Sequence, residues 1–321
     1  MSAPAAGSPE RIAVIGAGLI GRAWAMVFAR AGHEVALFDN AAGAVDRALE
    51  LIREGLIETH RFGLVSEDPG TIAARVRASP SLADAVGNAD YVQENTAERE
   101  DVKREVFSAL DAAAGPGCIL ASSTSTIQTS RFAGHLAGRH RCLVAHPVNP
   151  PHVIPVVELS PAPFTAPDVV ERARHLHERA GQVPILVKRE IEGFVLNRLQ
   201  AALLMEAWRL VDEGFVSVED LDKTIRDGLG LRWSFMGPFE TIDLNAPGGV
   251  TDYAQRYGPK LRGMMEGSQY RAWEGGLATR VEAERREVMP QEAHAAREAW
   301  RDRRLMALIA HKRTMTEKDH G

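Results

Sequence analysis

RIAVIGAGLIGRAWAMVFARAGHEVALFD, residues 11–39, holds the signals that decide the fold. Residues 12–15 form a short apolar run, the mark of a buried strand. Gly16-x-Gly18-x-x-Gly21 comes immediately after it. Apolar side chains then recur at helical spacing through Ala23, Met26 and Val27, and Gly32 is placed to end the helix. Residues 35–38 are a second apolar strand, closed by Asp39. The first glycine permits a tight turn, the second lets backbone approach a pyrophosphate, and the third allows close helix–strand packing. Free N–H groups at the helix start, those of Leu19 and Ile20 among them, favour phosphate. Asp39 lies eighteen residues beyond Gly21, near the place where an acid accepts from adenosine ribose hydroxyls. A carboxylate there repels a 2′-phosphate, so NAD is expected rather than NADP.

Working outward, short apolar runs at 90–95, 119–122, 143–145, 156–159 and 185–187 alternate with helical patterns. This alternation predicts a Rossmann-type α/β fold, a doubly wound and mainly parallel sheet, over residues 11–190. The segment 42–88 reads as mainly helical. Ligands of such sheets bind at the carboxyl ends of the strands, which brings Glu98, residues 122–125 and His146 toward one crevice. Beyond Arg189 the pattern is helical only. Residues 193–214 form one helix stopped by Gly214, and 217–228 another, with Ser217 as N-cap and Asp220 three residues on. Pro238, Pro247 and Pro259 punctuate the later segments. Residues 292–312 are charged and helical, a surface or inter-subunit element. The expected organisation is a disordered lead-in over 1–10, an NAD-binding domain over 11–190 and an all-α substrate and dimerisation domain over 191–321.

A chain of 321 residues suits two domains. The net charge of −5, without a dense basic stretch, argues against nucleic acid. No apolar run approaches the roughly 20 residues of a membrane span, and MSAPAAGSPE lacks the basic start and apolar core of a signal peptide. A cytoplasmic protein is expected. Cys118 and Cys142 sit in apolar strand-like runs and read as buried free thiols. They lack metal-site spacing, and no metal is expected.

Residues 143–159, LVAHPVNPPHVIPVVEL, end an apolar run on His146 and return a carboxylate at Glu158. Oxidation of an alcohol needs a base for the hydroxyl proton while hydride leaves carbon, and imidazole suits transfer in both directions. A neighbouring carboxylate would orient the ring, and two strands joined by a turn can set the pair side by side. Spacing alone leaves the alternatives open: a satisfied core or turn histidine, and a strand-end carboxylate in an ordinary ion pair.

Four stretches taken together resemble the 3-hydroxyacyl-CoA dehydrogenase superfamily. Its S-N-T-S-S, H-F-F-N-P, glutamate and G-F-(I/V)-x-N-R-(L/M) motifs correspond, in order, to SSTST (122–126), HPVNP (146–150), Glu158 in VVEL and GFVLNRL (193–199). The resemblance implies that His146 is the acid/base and Glu158 its orienting partner. It also implies that Ser125 and Asn197 bind the reacting oxygen and that Asn149 lies near the nicotinamide. AEREDVK (97–103) resembles the family segment whose acid and lysine contact the cofactor, which points to Glu98 and Lys103. Ser123 stands where the family has asparagine and is counted with the cofactor-binding residues.

The acyl-CoA enzymes carry a lysine-rich hairpin for the CoA phosphates, whereas residues 45–88 here contain no lysine; that disfavours a CoA ester. ASSTST, AHPVNPP, EAWRLVDEG, GLGLRWSFMGPFET and REAWRDRRLMAL (297–308) resemble the lambda-crystallin branch, which includes L-gulonate 3-dehydrogenase. That likeness implies NAD, a homodimer and a small polar hydroxy acid as substrate. L-3-hydroxyacyl-CoA, 3-hydroxybutyrate and carnitine are the alternatives, together with a catalytically silent, NAD-binding crystallin. Arg232 could bind a substrate carboxylate bidentately or be a surface or interface arginine. Trp233 and Phe235 read as packing residues. His33, His60, His135, His140, His152, His175 and His177 lack ligand spacing and are expected in solvated or capping roles. No nucleophile elbow, Tyr-x-x-x-Lys pair or helical catalytic lysine points to another enzyme class.

Overall fold

The computed structural model describes residues 9–265, 276–288 and 290–319. Residues 1–8 of the expected lead-in lie outside them. One compact unit runs to Asn197 and resumes at Ala299; the other is Arg198–Glu298.

The first unit is built on an eight-stranded sheet. Its strands are β1 (Arg11–Ile15), β2 (Glu34–Phe38), β3 (Val76–Ala78), β4 (Tyr91–Glu94), β5 (Ile119–Ser122), β6 (Cys142–Pro147), β7 (Val156–Pro161) and β8 (Val183–Leu186), in the order β3-β2-β1-β4-β5-β6-β7-β8. All pairings are parallel except β6 with β7. Helices α1 (Leu19–Arg30), α2 (Ala44–Arg61), α3 (Pro69–Ala73), α4 (Leu82–Val86), α5 (Glu100–Ala113), α6 (Thr129–Ala133) and α7 (Pro167–Arg179) connect them. This is the doubly wound Rossmann architecture. Side chains alternate across the sheet: Ile12 and Val14 of β1 join one core, with Trp24 and Phe28 of α1, and Ala13 and Ile15 join the other, with Phe107 and Phe132. Both thiols are buried and free, and burial pushes each up to about 12.

β3 departs from the helical reading of 42–88. It is a three-residue edge strand in which only Val76 is buried, too short for a periodicity signal.

The second unit is helical. α8 (Leu196–Asp212) leads into it, and α9 (Val218–Lys223), α10 (Gly230–Trp233), α11 (Pro238–Leu244), α12 (Gly249–Met265) and α13 (Gly276–Val288) make it up. Ser217 caps α9 by accepting from Asp220 N at 3.1 Å. Pro259 lies inside α12 rather than ending a segment.

The last helix, α14 (His294–Asp319), corrects the expected domain limits. From Ala299 it belongs to the first unit. Met306 is buried with Leu64 and Val153, and Leu305, Ile309 and Ala310 pack around them. Arg313 Nη1 donates to Leu64 O at 2.9 Å. The charged tail therefore has an apolar side, and that side finds its cover on the sheet unit.

Candidate active site

The glycine turn between β1 and α1 is shaped for close approach. Gly16 has φ +91°, and a Cβ there would stand 2.7 Å from Asn95 O. At Gly21 a Cβ would stand 1.8 Å from Gly16 O. At Gly18 a Cβ would meet nothing within 4 Å, so this residue faces open space. The first N–H groups of α1, at Leu19, Ile20 and Gly21, have no intrahelical acceptor. Asp39, at the carboxyl end of β2, accepts from Ala17 N at 2.7 Å and Ala41 N at 2.9 Å. It lines a cleft of about 450 Å³ with Gly18, Ala41 and Gly43. The cradle suits a dinucleotide: Gly18 and the helix start would hold its diphosphate, and Asp39 would hold a ribose.

Two further residues of the cleft, Arg22 and Arg47, escaped the sequence reading. Neither makes an ion pair among the described residues, which leaves both guanidiniums available to an anionic group. The signal was present, since Arg22 directly follows the third glycine.

The β6–β7 hairpin brings His146 opposite Glu158 in register. His146 Nδ1 and Glu158 Oε2 are 2.9 Å apart, and both side chains are buried. The other carboxylate oxygen, Oε1, accepts from Val195 N at 2.9 Å and Leu196 N at 3.0 Å, at the start of α8. Burial acts to raise the Glu158 pKa. The hydrogen bonds from His146 and the two N–H groups outweigh it and hold the carboxyl below its ordinary range. Nε2 is the ring nitrogen left to meet a substrate.

Asn197, next along α8, donates from Nδ2 to Ser125 O at 2.9 Å. Leu196 on Glu158 and Asn197 on Ser125 thus join the β5–α6 loop to the hairpin. Glu98 shapes that loop: its Oε1 accepts from Thr124 Oγ1 at 2.6 Å, Ser125 N at 2.8 Å and Thr126 N at 3.1 Å. The Ser125 side chain is exposed. Asn149, also exposed, lies on the β6–β7 connection.

Two expected cofactor contacts are placed otherwise. Lys103 Nζ is buried and donates to both oxygens of Glu94, at 2.9 and 3.0 Å, and to Thr96 O at 3.3 Å. All three ammonium donors are spent inside the protein. Ser123 Oγ accepts from Trp24 Nε1 at 3.0 Å and Gln93 Nε2 at 2.7 Å and donates to Asn95 Oδ1 at 2.7 Å. Its hydroxyl, with one donor and two acceptor sites, is saturated. The same network corrects the expectation for His177. That residue is fully buried, its ring edge-on to Trp24 and Tyr91, and its Nε2 lies 2.9 Å from Tyr91 Oη. Tyr91 Oη donates to Gln93 Oε1, so His177 Nε2 carries the proton. Burial pushes its pKa down to about 3. Arg232 lies in the helical unit, exposed on α10. Among the described residues no group of three or more His, Cys, Asp or Glu could hold a metal, and no helix is long and apolar enough to cross a membrane.

A dinucleotide cradle and a buried His–Glu pair on one sheet edge define a nucleotide-dependent dehydrogenase. The chain belongs to the 3-hydroxyacyl-CoA dehydrogenase family: residues 11–191 match its NAD-binding domain and 193–275 its C-terminal domain. It is an NAD-dependent oxidoreductase acting on CH–OH groups. It is 42% identical to the lambda-crystallin homolog of Bos taurus, over 99% of this chain and 100% of that one. It is 38% identical to an L-carnitine dehydrogenase of Streptomyces coelicolor, over 79% and 80%. Among solved structures it resembles a 5-formyl-3-hydroxy-2-methylpyridine-4-carboxylic acid 5-dehydrogenase, described as an NAD+-dependent dismutase. That match has a TM-score of 0.80 at 29% identity and covers 94% of this chain and 97% of the other.

Proposed function

We propose that the protein oxidises the 3-hydroxyl of a small polar hydroxy acid to the 3-keto acid, in the manner of an L-gulonate 3-dehydrogenase. The observation that carries this reading is the His146–Glu158 pair, buried at the carboxyl edge of the same sheet that carries the dinucleotide turn. The near full-length likeness to lambda-crystallin proteins supports the branch. The absence of lysine from residues 45–88 speaks against a CoA ester.

When bound, NAD supplies the acceptor for the hydride that leaves the carbinol carbon. His146 Nε2 takes the hydroxyl proton. Glu158 fixes the ring through Nδ1 and stabilises the imidazolium that forms. Ser125 and Asn197 hold the reacting oxygen and oppose its developing charge. Asn149 and Glu98 border the nicotinamide end, and Asp39 takes the adenosine ribose.

The active form is a homodimer. The helical unit exposes large apolar side chains, including Phe215, Phe239, Leu244 and Met264, and α8 and α12 bury no residue. Exposed apolar surface of this kind marks an interface, and light scattering of the purified protein should give twice the chain mass.

NADH absorbance should grow with L-gulonate and stay near background with L-carnitine, L-3-hydroxybutyrate and its CoA thioester. Preference for the thioester would overturn the substrate class. Silence across the panel, with NADH still bound tightly, would favour a crystallin-like structural role.

A further inference from the structure

Phe194 has φ +49°, the one non-glycine residue with a positive φ among those described. It follows Gly193, at φ +73°, so two successive residues are left-handed. A Cβ disfavours that region, and such a conformation persists only where the surroundings over-determine it. Glycine would meet the backbone requirement without strain. A phenyl ring at this position therefore serves something besides the turn.

Its surroundings show what that is. The ring is fully buried, and its centroid lies 5.4 Å from that of the His146 imidazole, inclined at 42°. The next two N–H groups, at Val195 and Leu196, are the pair that Glu158 Oε1 accepts. Those N–H groups open α8, where helix donors lack intrahelical partners and a carboxylate is favoured. One Glu158 oxygen is thereby held by backbone, and the other is left for His146 Nδ1.

We propose that Phe194 is a positioning residue for proton transfer at His146. Its left-handed backbone aims two N–H groups at Glu158, and its ring covers the imidazole face and keeps water from the Nδ1–carboxylate bond. This rests on reading His146 as the proton carrier.

Phe194→Gly separates ring from turn, because glycine keeps the backbone and removes the side chain. Turnover on the best substrate should fall about tenfold or more, a part of the 10²–10⁴ that positioned acid–base catalysis supplies. KM for NAD should change less than about twofold, since an interaction made only in the transition state is lost. The downfield proton resonance of His146 Nδ1–H should broaden through faster exchange with water. Turnover within about twofold of the parent, or a resonance as sharp as in the parent, would overturn the proposal. If the glycine variant does not fold, Phe194→Leu takes its place. Loss of the flat ring should then lower kcat about threefold and broaden the same resonance, and parental values would overturn the proposal. The resonance needs no substrate. A protein inactive across the panel would defeat the proposed function while leaving the Phe194 test intact.

Discussion

Two corners of the sheet edge hold a buried carboxylate 2.9 Å from a nitrogen: Glu94 with Lys103 at the β4–α5 corner, and Glu158 with His146 in the β6–β7 hairpin. All four side chains are buried. The difference lies in the partner and in what each oxygen still faces. Glu94 is closed on every side by Lys103, Ser122 Oγ, and the N–H and hydroxyl of Thr96. Its lysine has no donor left for a ligand. Glu158 instead holds a ring with a second nitrogen outside the pair. Equal distance and equal burial thus yield a closed structural clamp in one corner and, in the other, the pair proposed here to carry the proton. The second titratable position decides which corner can do chemistry.

Exchanging function between the corners is the strongest way to break this comparison. His146→Gln should lower kcat by about 10²–10⁴ and leave stability to urea within about 1 kcal/mol, because the amide can still donate to Glu158. Near-parental turnover would remove His146 from the mechanism. Lys103→Met should do the reverse. It strands a buried carboxylate and should cost about 3–5 kcal/mol in urea unfolding, with KM for NAD little changed in the folded fraction. Should the variant unfold at the parental urea concentration yet bind NAD poorly, Lys103 would be the cofactor contact that the family resemblance implies.

The same two corners show what a sequence reveals. The glycine turn was legible because its signal is local: three glycines, a helix start and Asp39 fall within one β-α-β stretch. The His146–Glu158 pairing was legible only through the family resemblance, since spacing alone left a turn histidine and an ordinary ion pair open; the hairpin register of the structure sets the two residues face to face. Lys103 was not legible. AEREDVK shows that a lysine follows a strand end, but not whether its ammonium turns outward to a ligand or inward to Glu94. Ser123 hid in the same way, since its partners Trp24, Gln93 and Asn95 come from α1, from β4 and from just beyond β4. The return of α14 to the first unit depends on Met306 finding Leu64 and Val153, a contact between residues far apart in sequence. Its charged character masked a narrow apolar side.

His177 sharpens the comparison from the other direction, as a buried titratable group with no opposite charge beside it. Desolvation alone acts on it and pushes its pKa down to about 3. Linkage fixes the sign. Unfolded histidine takes a proton near pH 6.5, while the folded one stays neutral until about 3. Stability is therefore complete above about pH 6.5 and is lost as pH falls toward 3, at about 1.4 kcal/mol per pH unit for this one group. His177→Gln keeps an N–H for Tyr91 Oη and cannot titrate. The fall in unfolding free energy between pH 7 and pH 5 should be about 2 kcal/mol smaller in the variant than in the parent. Comparing two pH values cancels whatever the substitution costs at pH 7. His152, lowered to about 4 by burial, titrates in the same window and should leave a residual slope in both proteins. Parallel stability curves would mean that His177 shares its charge with an unseen partner in the folded state. An isolated buried imidazole would then no longer mark the far end of the series that runs from Lys103 through His146.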